Sequence, residues 1–485
     1  MKSHMPIHRS PLLRALVLAL TIVPLTLAAQ APDRSKPPAP GPVPSLKVPP
    51  IDKRALSNGL PVWIVEMHEV PVVDITMIVK SGASSDPAGK FGVANFTAAM
   101  LDEGAGTRDA LALADAIDFL GATLTTGSGF DSSTVRLHSL SSKLDAALPI
   151  MADVVRRPTF PQADMDRLRT ERLTTLLQVR DNPQQLAAAA YARILFGEPH
   201  RYGTGGMGTE SVNKAMTVAD LKQFYGAHYR PQNAHLLVVG DVTAASVLPK
   251  LERAFGAWTG AGPVPPPALP TVQAPTGRRV FLVDKPGAAQ SQIRMGTIGV
   301  ARSTPDYHAF DVLNTLLGGS FTSRLNMNLR EEHGYSYGAG SRFDMRLSPG
   351  PFFAAAGVQT DKTVESLTEF FKEVDGMRAP VPDEELARGK NLEALSFPGS
   401  FETTGDMAGQ LADLVVYGLP DTFFNEYVPK IQAVTAADLQ RVADRFLKSQ
   451  AFVVVVAGDL AKIEKPIRDA NFGVVTVIQA DDILK

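Results

Sequence analysis

The chain has 485 residues, 45% hydrophobic and 20% charged, with a formal net charge of −2. That is enough for two or more domains with sizeable cores, and with no basic run beyond the N-terminal segment it excludes nucleic acid as an expected partner. Cysteine is absent, so disulfides, thiolate nucleophiles, thiolate metal sites and a lipid-modified N-terminal cysteine are all excluded.

Residues 1–31 read as a secretory signal. Lys2, Arg9 and Arg14 precede an apolar run, Ala15 to Ala29, and small residues follow it. The run is shorter than the roughly 20 residues of a spanning helix; retention as an anchor is the alternative. The expected destination is the periplasm or the exterior of a bacterium. Residues 32–50 are Pro-rich and read as a disordered leader. Structure is expected from Ile51. An Asn58-Gly59 turn precedes strands over Pro61–Val65 and Val72–Lys80. The pattern then predicts helices over 93–101 and 109–120, a strand pair over 123–140, and helices over 143–155 and 161–179. The Gly-rich run 197–209 lacks G-x-x-x-x-G-K-[ST], and no strand leads into it, so a phosphate cradle is not expected. A helix over 217–229 and a strand over 235–239 end a first domain, 51–259. Residues 260–277 hold six prolines among 18 and read as an interdomain linker. A second domain fills 278–485.

The second domain repeats the first. Thr217-Val218-Ala219-Asp220-Leu221 returns as Thr435-Ala436-Ala437-Asp438-Leu439. Leu237-Val238-Val239-Gly240-Asp241 returns as Val455-Val456-Ala457-Gly458-Asp459, and Trp63-Ile64-Val65-Glu66 as Phe281-Leu282-Val283-Asp284. The starting positions, 217 against 435, 237 against 455 and 63 against 281, share one offset of 218, which marks an internal duplication.

The stretch from Gly92 to Thr107 resembles the active-site helix of the inverzincin metallopeptidases, the pitrilysin/insulinase/mitochondrial processing peptidase family. There the helix reads G-x-A-H-F-x-E-H-M with a later Gly-Thr. Its two histidines, four apart, ligate zinc, and its glutamate serves as general base. Here the frame Gly92, Ala94, Phe96, Met100, Gly106 and Thr107 is kept, but the chemical positions are Asn95, Ala98 and Ala99. The third ligand of the family, a glutamate on a later helix, falls near Thr175. Glu171 is the nearest acid and reads as a solvated helix residue beside Arg167 and Arg172. His68, His138, His200, His228, His235, His308 and His333 are scattered, and no Gly-x-Ser-x-Gly elbow is present. The expectation is therefore no metal and no cofactor.

In the second domain, Leu317-Gly318-Gly319-Ser320-Phe321-Thr322-Ser323-Arg324-Leu325 and Leu329-Arg330-Glu331-Glu332-His333-Gly334-Tyr335-Ser336-Tyr337 resemble the family's second-domain motif. The resemblance implies that Arg330 and Tyr337 hold the substrate backbone, the guanidinium offering fixed donors and the phenol one more. It also implies an α+β fold of two homologous domains, each an antiparallel sheet flanked by helices, facing each other across a chamber. The combined reading is a secreted, zinc-free subunit that binds unfolded peptides and completes the chamber of a catalytic H-x-x-E-H partner. The alternatives are a structural scaffold without a role in proteolysis and a hydrolase with an unrecognised site.

Overall fold

The computed structural model describes residues 41–43, 45–260, 262–264, 266–267 and 269–484; the expected signal segment and most of the expected leader lie outside them. Asn58-Gly59 makes the turn between strands β1 (Asp52–Ala55) and β2 (Pro61–Glu66), with Gly59 at a φ of 83° that few other residues adopt. These join β3 (Val72–Val79), β6 (Thr123–Ser128), β7 (Ser133–Leu140) and β8 (Ala234–Gly240) in one six-stranded sheet, ordered β1-β2-β8-β3-β7-β6. The short pair β4 (Gly104–Ala105) and β5 (Arg108–Asp109) stands apart. The second sheet takes β9 (Arg279–Asp284), β10 (Gln290–Ile298), β11 (Ser336–Phe343), β12 (Pro351–Gln359), β13 (Val453–Gly458) and β14 (Val474–Ile478), ordered β11-β12-β10-β13-β9-β14.

The sheets are mostly antiparallel. The exceptions are β2 beside β8, and β9 beside both β13 and β14, which run parallel. Parallel neighbours need a long crossover, and both halves supply one of equal span. Trp63 registers with Leu237 as Phe281 registers with Val455, so the repeat extends to strand register. Thr217 and Thr435 each open a helix, Val218–His228 and Ala436–Phe446, with a reciprocal capping box to Asp220 and Asp438.

β8 and β13 are buried at every residue, which requires cover on both faces. On one face of the first sheet, Leu236 and Val238 share a core with Val73, Ile75 and Met77 and with helices Leu144–Arg156 and Ala244–Phe255. The alternate residues Leu237 and Val239 join Leu411 and Leu414 in the core of the second half, where helix Thr404–Tyr417 packs on β8 and β3. The second sheet is treated likewise. Val454 and Val456 face their own half's core, while Val453 and Val455 pack against Leu186, Ala190 and Tyr191 of helix Pro183–Phe196. A shift of 218 carries 183–196 onto 401–414, so the exchanged helices are counterparts. Each half lends the other one helix.

One boundary differs from the sequence reading. Leu46 and Val48 pack against the second-half core, and the Val48 N–H donates to Asn425 Oδ1 (3.3 Å); the tail of the expected leader is therefore docked. The described residues of 262–278 hold no helix or strand, yet they are tied down. His200 accepts the Tyr202 N–H at Nδ1 (3.0 Å) and so donates from Nε2 to the Pro270 carbonyl (3.1 Å). Among the described residues no helix is long and apolar enough to cross a membrane.

Candidate functional site: a zinc frame filled by arginine

Helix Val93–Ala99 begins at Gly92, whose φ is 105° and where a Cβ would fall 2.4 Å from the Met207 carbonyl oxygen. Its N-terminus is capped by the buried Asp86, which accepts from the Gly92 N–H (2.6 Å) and the Ala94 N–H (2.9 Å). Burial raises the Asp86 carboxyl, and Arg201, 2.8 Å away, opposes that rise. Arg201 also donates to the carbonyls of Thr204, Gly205 and Gly206. The Gly-rich run thus turns carbonyl oxygens inward toward a buried guanidinium, the reverse of a phosphate cradle.

Asn95 and Ala99 lie one turn apart and half-buried; Ala98 is fully buried. Beside them stands Arg172, only 7% exposed, from helix Gln162–Asp181. Its Nη1 donates to Asn95 Oδ1 (2.7 Å), its Nε to Asn213 Oδ1 (2.7 Å) and its Nη2 to the Met207 carbonyl (3.0 Å). The guanidinium lies 4.5 Å from the centre of the Phe96 ring. Burial lowers its pKa to about 10, with Asp86 opposing, so it remains a cation at neutral pH.

The residues at the resemblance's ligand positions do not suit zinc. The Asn95 carbonyl oxygen is engaged by Arg172. Ala98 and Ala99 have no donor atoms. Thr175 is exposed and its hydroxyl donates to the Glu171 carbonyl (3.0 Å). Glu171 is itself 58% exposed and paired with Arg167 (2.9 Å). Among the described residues no group of three or more His, Asp and Glu stands where it could hold a metal ion. The histidines have separate partners: His68 with Asp241, His138 with Asp74, His228 with Ser81, and His235, His308 and His333 against Trp63, Phe423 and Tyr335. Sequence reasoning named Arg172 only as a neighbour of Glu171 and missed both its burial and its bond to Asn95.

The second-domain motif divides into two sets of residues. Gly318 passes against the edge of β11, where a Cβ would fall 2.3 Å from the Ser341 nitrogen, so it lets the chain cover an edge strand closely. Arg324 forms a two-bond pair with Glu385, both at 2.7 Å, and Leu325 is fully buried. These residues build the fold. Arg330 and Tyr337 do not. Arg330 sits in the π-helical turn Met327–Glu332, its side chain 41% exposed. It pairs with the adjacent Glu331 (3.2 Å) and lies 4.9 Å from the centre of the Phe321 ring. Tyr337 is 90% exposed and rides a bulge in β11 between Ser336 and Ala339. Ser336 shapes the bulge, its hydroxyl donating to the Gly357 carbonyl (2.8 Å) and accepting from the Gly338 N–H (3.0 Å). Phe321 is 59% exposed. A guanidinium and a phenol are thus carried to solvent by two irregular turns, a form of backbone frequent at functional sites, with the exposed Phe321 ring beside the guanidinium.

Known proteins resemble this chain across both halves. Residues 62–200 match the family model for insulinase (peptidase family M16), and residues 215–393 match that for the peptidase M16 inactive domain. An uncharacterized zinc protease of Rickettsia bellii is 25% identical over 408 residues, 83% of this chain and 96% of the relative. The crystal structure of a peptidase M16 inactive domain from Pseudomonas fluorescens superposes with a TM-score of 0.77 at 27% identity, covering 84% of this chain and 98% of that one. A protease from Helicobacter pylori gives 0.77 at 21% identity, covering 84% and 100%, which shows the fold alone. With its zinc frame closed by Arg172 and its second half matching the inactive-domain type, the chain belongs to peptidase family M16.

Proposed function

We propose that this protein is the zinc-free subunit of a heteromeric M16 metalloendopeptidase, exported to the periplasm or beyond. In this reading a partner chain with an intact H-x-x-E-H helix holds the zinc, and this chain contributes peptide binding through Arg330 and Tyr337. The observation that carries it is the contrast between the two frames. The first is internally bonded through Arg172, while the second presents Arg330, Phe321 and Tyr337 to solvent with no packing duty. Fixed donors aimed at a peptide carbonyl favour the charge that develops there during hydrolysis. The basic and apolar N-terminal residues support export.

The test is peptidase activity of the complex purified from its native host and reconstituted with variant subunits. Arg330→Ala should lower turnover on the order of a hundredfold if it serves the transition state, or raise the Michaelis constant if it only grips the backbone. Tyr337→Phe should cost less. Both variants should melt close to wild type, because neither side chain is buried. Unchanged activity in Arg330→Ala would favour the scaffold reading, for which the structural duties of Gly318 and Arg324 are the supporting observation.

A further inference from the structure

A cleft runs beside helix Thr404–Tyr417, where the second half meets the β6–β7 turn; Gly318 and Gly319 of the second frame line one wall, while Arg330 and Tyr337 do not line it. It opens as a cavity of about 610 Å³ lined by Arg302, Tyr307, Asp311, Asp413 and Tyr417 among others, flanked by two smaller cavities that Asp413 also lines. Its volume is that of a small-molecule site.

Most charged groups along the cleft are satisfied. Asp344 pairs with Arg346. Asp131 accepts from the Leu347 N–H (3.1 Å). Tyr427 bonds Asp311 (2.7 Å) and Glu393 (3.1 Å). Three side chains that line the cavity, Arg302, Arg342 and Asp413, have no hydrogen bond or ion pair among the described residues; Arg342 and Asp413 are exposed. Arg302 is 6% exposed, yet among the described residues its guanidinium makes no hydrogen bond and no ion pair. It is held only by rings: Tyr307 at 3.7 Å, Phe423 at 4.8 Å and Tyr417 at 5.8 Å to their centres. Asp413 likewise has no hydrogen bond or ion pair among the described residues, although it is open to the cleft. The surrounding chain raises its carboxyl, and the field of Arg302 opposes the rise. The Arg302 guanidinium offers five donors, and none of its nitrogens is among the fully buried unpartnered atoms, so they reach the open cavity. Arg302 and Asp413 share one cavity without pairing with each other.

We propose that this cleft binds a small zwitterion, a free α-amino acid or dipeptide, with its carboxylate on Arg302 and its ammonium on Asp413. Planar, two-bond recognition of a carboxylate is the geometry a guanidinium favours. The ring of Tyr307, already against Arg302, walls the carboxylate side. A simple anion would meet the uncompensated Asp413, and a simple cation the uncompensated Arg302; a zwitterion satisfies both at no net charge. The inference goes beyond the proposed proteolytic role and does not depend on a partner.

The experiment is calorimetric titration and thermal melting of the full chain with L-alanine and Ala-Ala, alongside N-acetylalanine, which lacks the ammonium, and alaninamide, which lacks the carboxylate. The expected result is saturable binding and a raised melting temperature for L-alanine or Ala-Ala, with neither half-ligand binding comparably. The tighter of the first two names the source. Asp413→Asn, at an open position, should fold and weaken binding by at least about tenfold. Arg302→Met should abolish binding. The proposal is overturned if no probe binds, if N-acetylalanine or alaninamide binds as well as L-alanine, or if Asp413→Asn binds as wild type does.

Discussion

Arg172 occupies the mechanical place a metal would take. It bonds helix Gln162–Asp181 to helix Val93–Ala99 through Asn95, and to the 207–213 segment through Asn213 and Met207. Its positive charge also repels a divalent cation. Arg172→Met keeps most of the volume but leaves three oxygens, of Asn95, Asn213 and Met207, short of a charged donor. We expect a loss of about 2–4 kcal/mol, read as a lower urea midpoint at an unchanged slope. Within the sequence, the absence of the ligand set was legible, because Ala98 and Ala99 lack donors in any conformation. The replacement was not. Whether an arginine one turn from Thr175 points to solvent or into the frame depends on which face of its helix is buried, and that helix carries polar residues on all sides. A second residue-scale prediction concerns His308. Burial lowers its pKa to about 4, against about 6.5 in an unfolded chain. Between those values the unfolded state takes up a proton that the folded state refuses, so this group's contribution to stability falls as pH falls. Buried carboxylates such as Asp311, raised to about 6, act in the opposite sense, so the test is a difference. The melting temperature of His308→Phe minus that of wild type should grow as pH is lowered from 6.5 to 4; a constant difference would contradict it.

Among the elements, strands and helices with strong punctuation were legible. The Asn58-Gly59 turn, the stop at Asp181-Asn182-Pro183 and the Thr-x-x-Asp boxes at 217 and 435 each act locally, so sequence shows them directly. The Gly318-Gly319 stretch was misleading in part. Gly318 packs closely on β11, whereas Arg330 and Tyr337 of the same motif are exposed. The exchanged helices were not legible at all. Pro183–Phe196 and Thr404–Tyr417 are apolar enough for a core, but nothing local says whose. Leu411 is fully buried in the face that meets β8 of the other half. Leu411→Ala should destabilise by about 2–5 kcal/mol through lost contacts and a residual cavity. Because the helix belongs to both halves, the first-sheet and second-sheet regions should lose amide-exchange protection together. Loss confined to the second half would show that the helix does not couple them.

At the scale of the molecule, the offset of 218 made the duplication readable from three short matches, and the α+β class came from the resemblance to a known family. The interlock of the halves had to come from coordinates, since the exchanged helices meet β8 and β13 through contacts between residues more than one hundred and sixty positions apart. In the proposed function, one copy of the duplicated unit holds a fixed internal cation, Arg172, in place of a ligand set, and the other carries the exposed Arg330 and Tyr337. The most direct test is the zinc content of the purified chain, by elemental analysis after equilibration with zinc and a mild chelator wash. Arg172 bonded to Asn95, with Ala98, Ala99 and Thr175 around it, offers no ligand set, so the account predicts no stoichiometric zinc. One tightly held zinc ion per chain would contradict it.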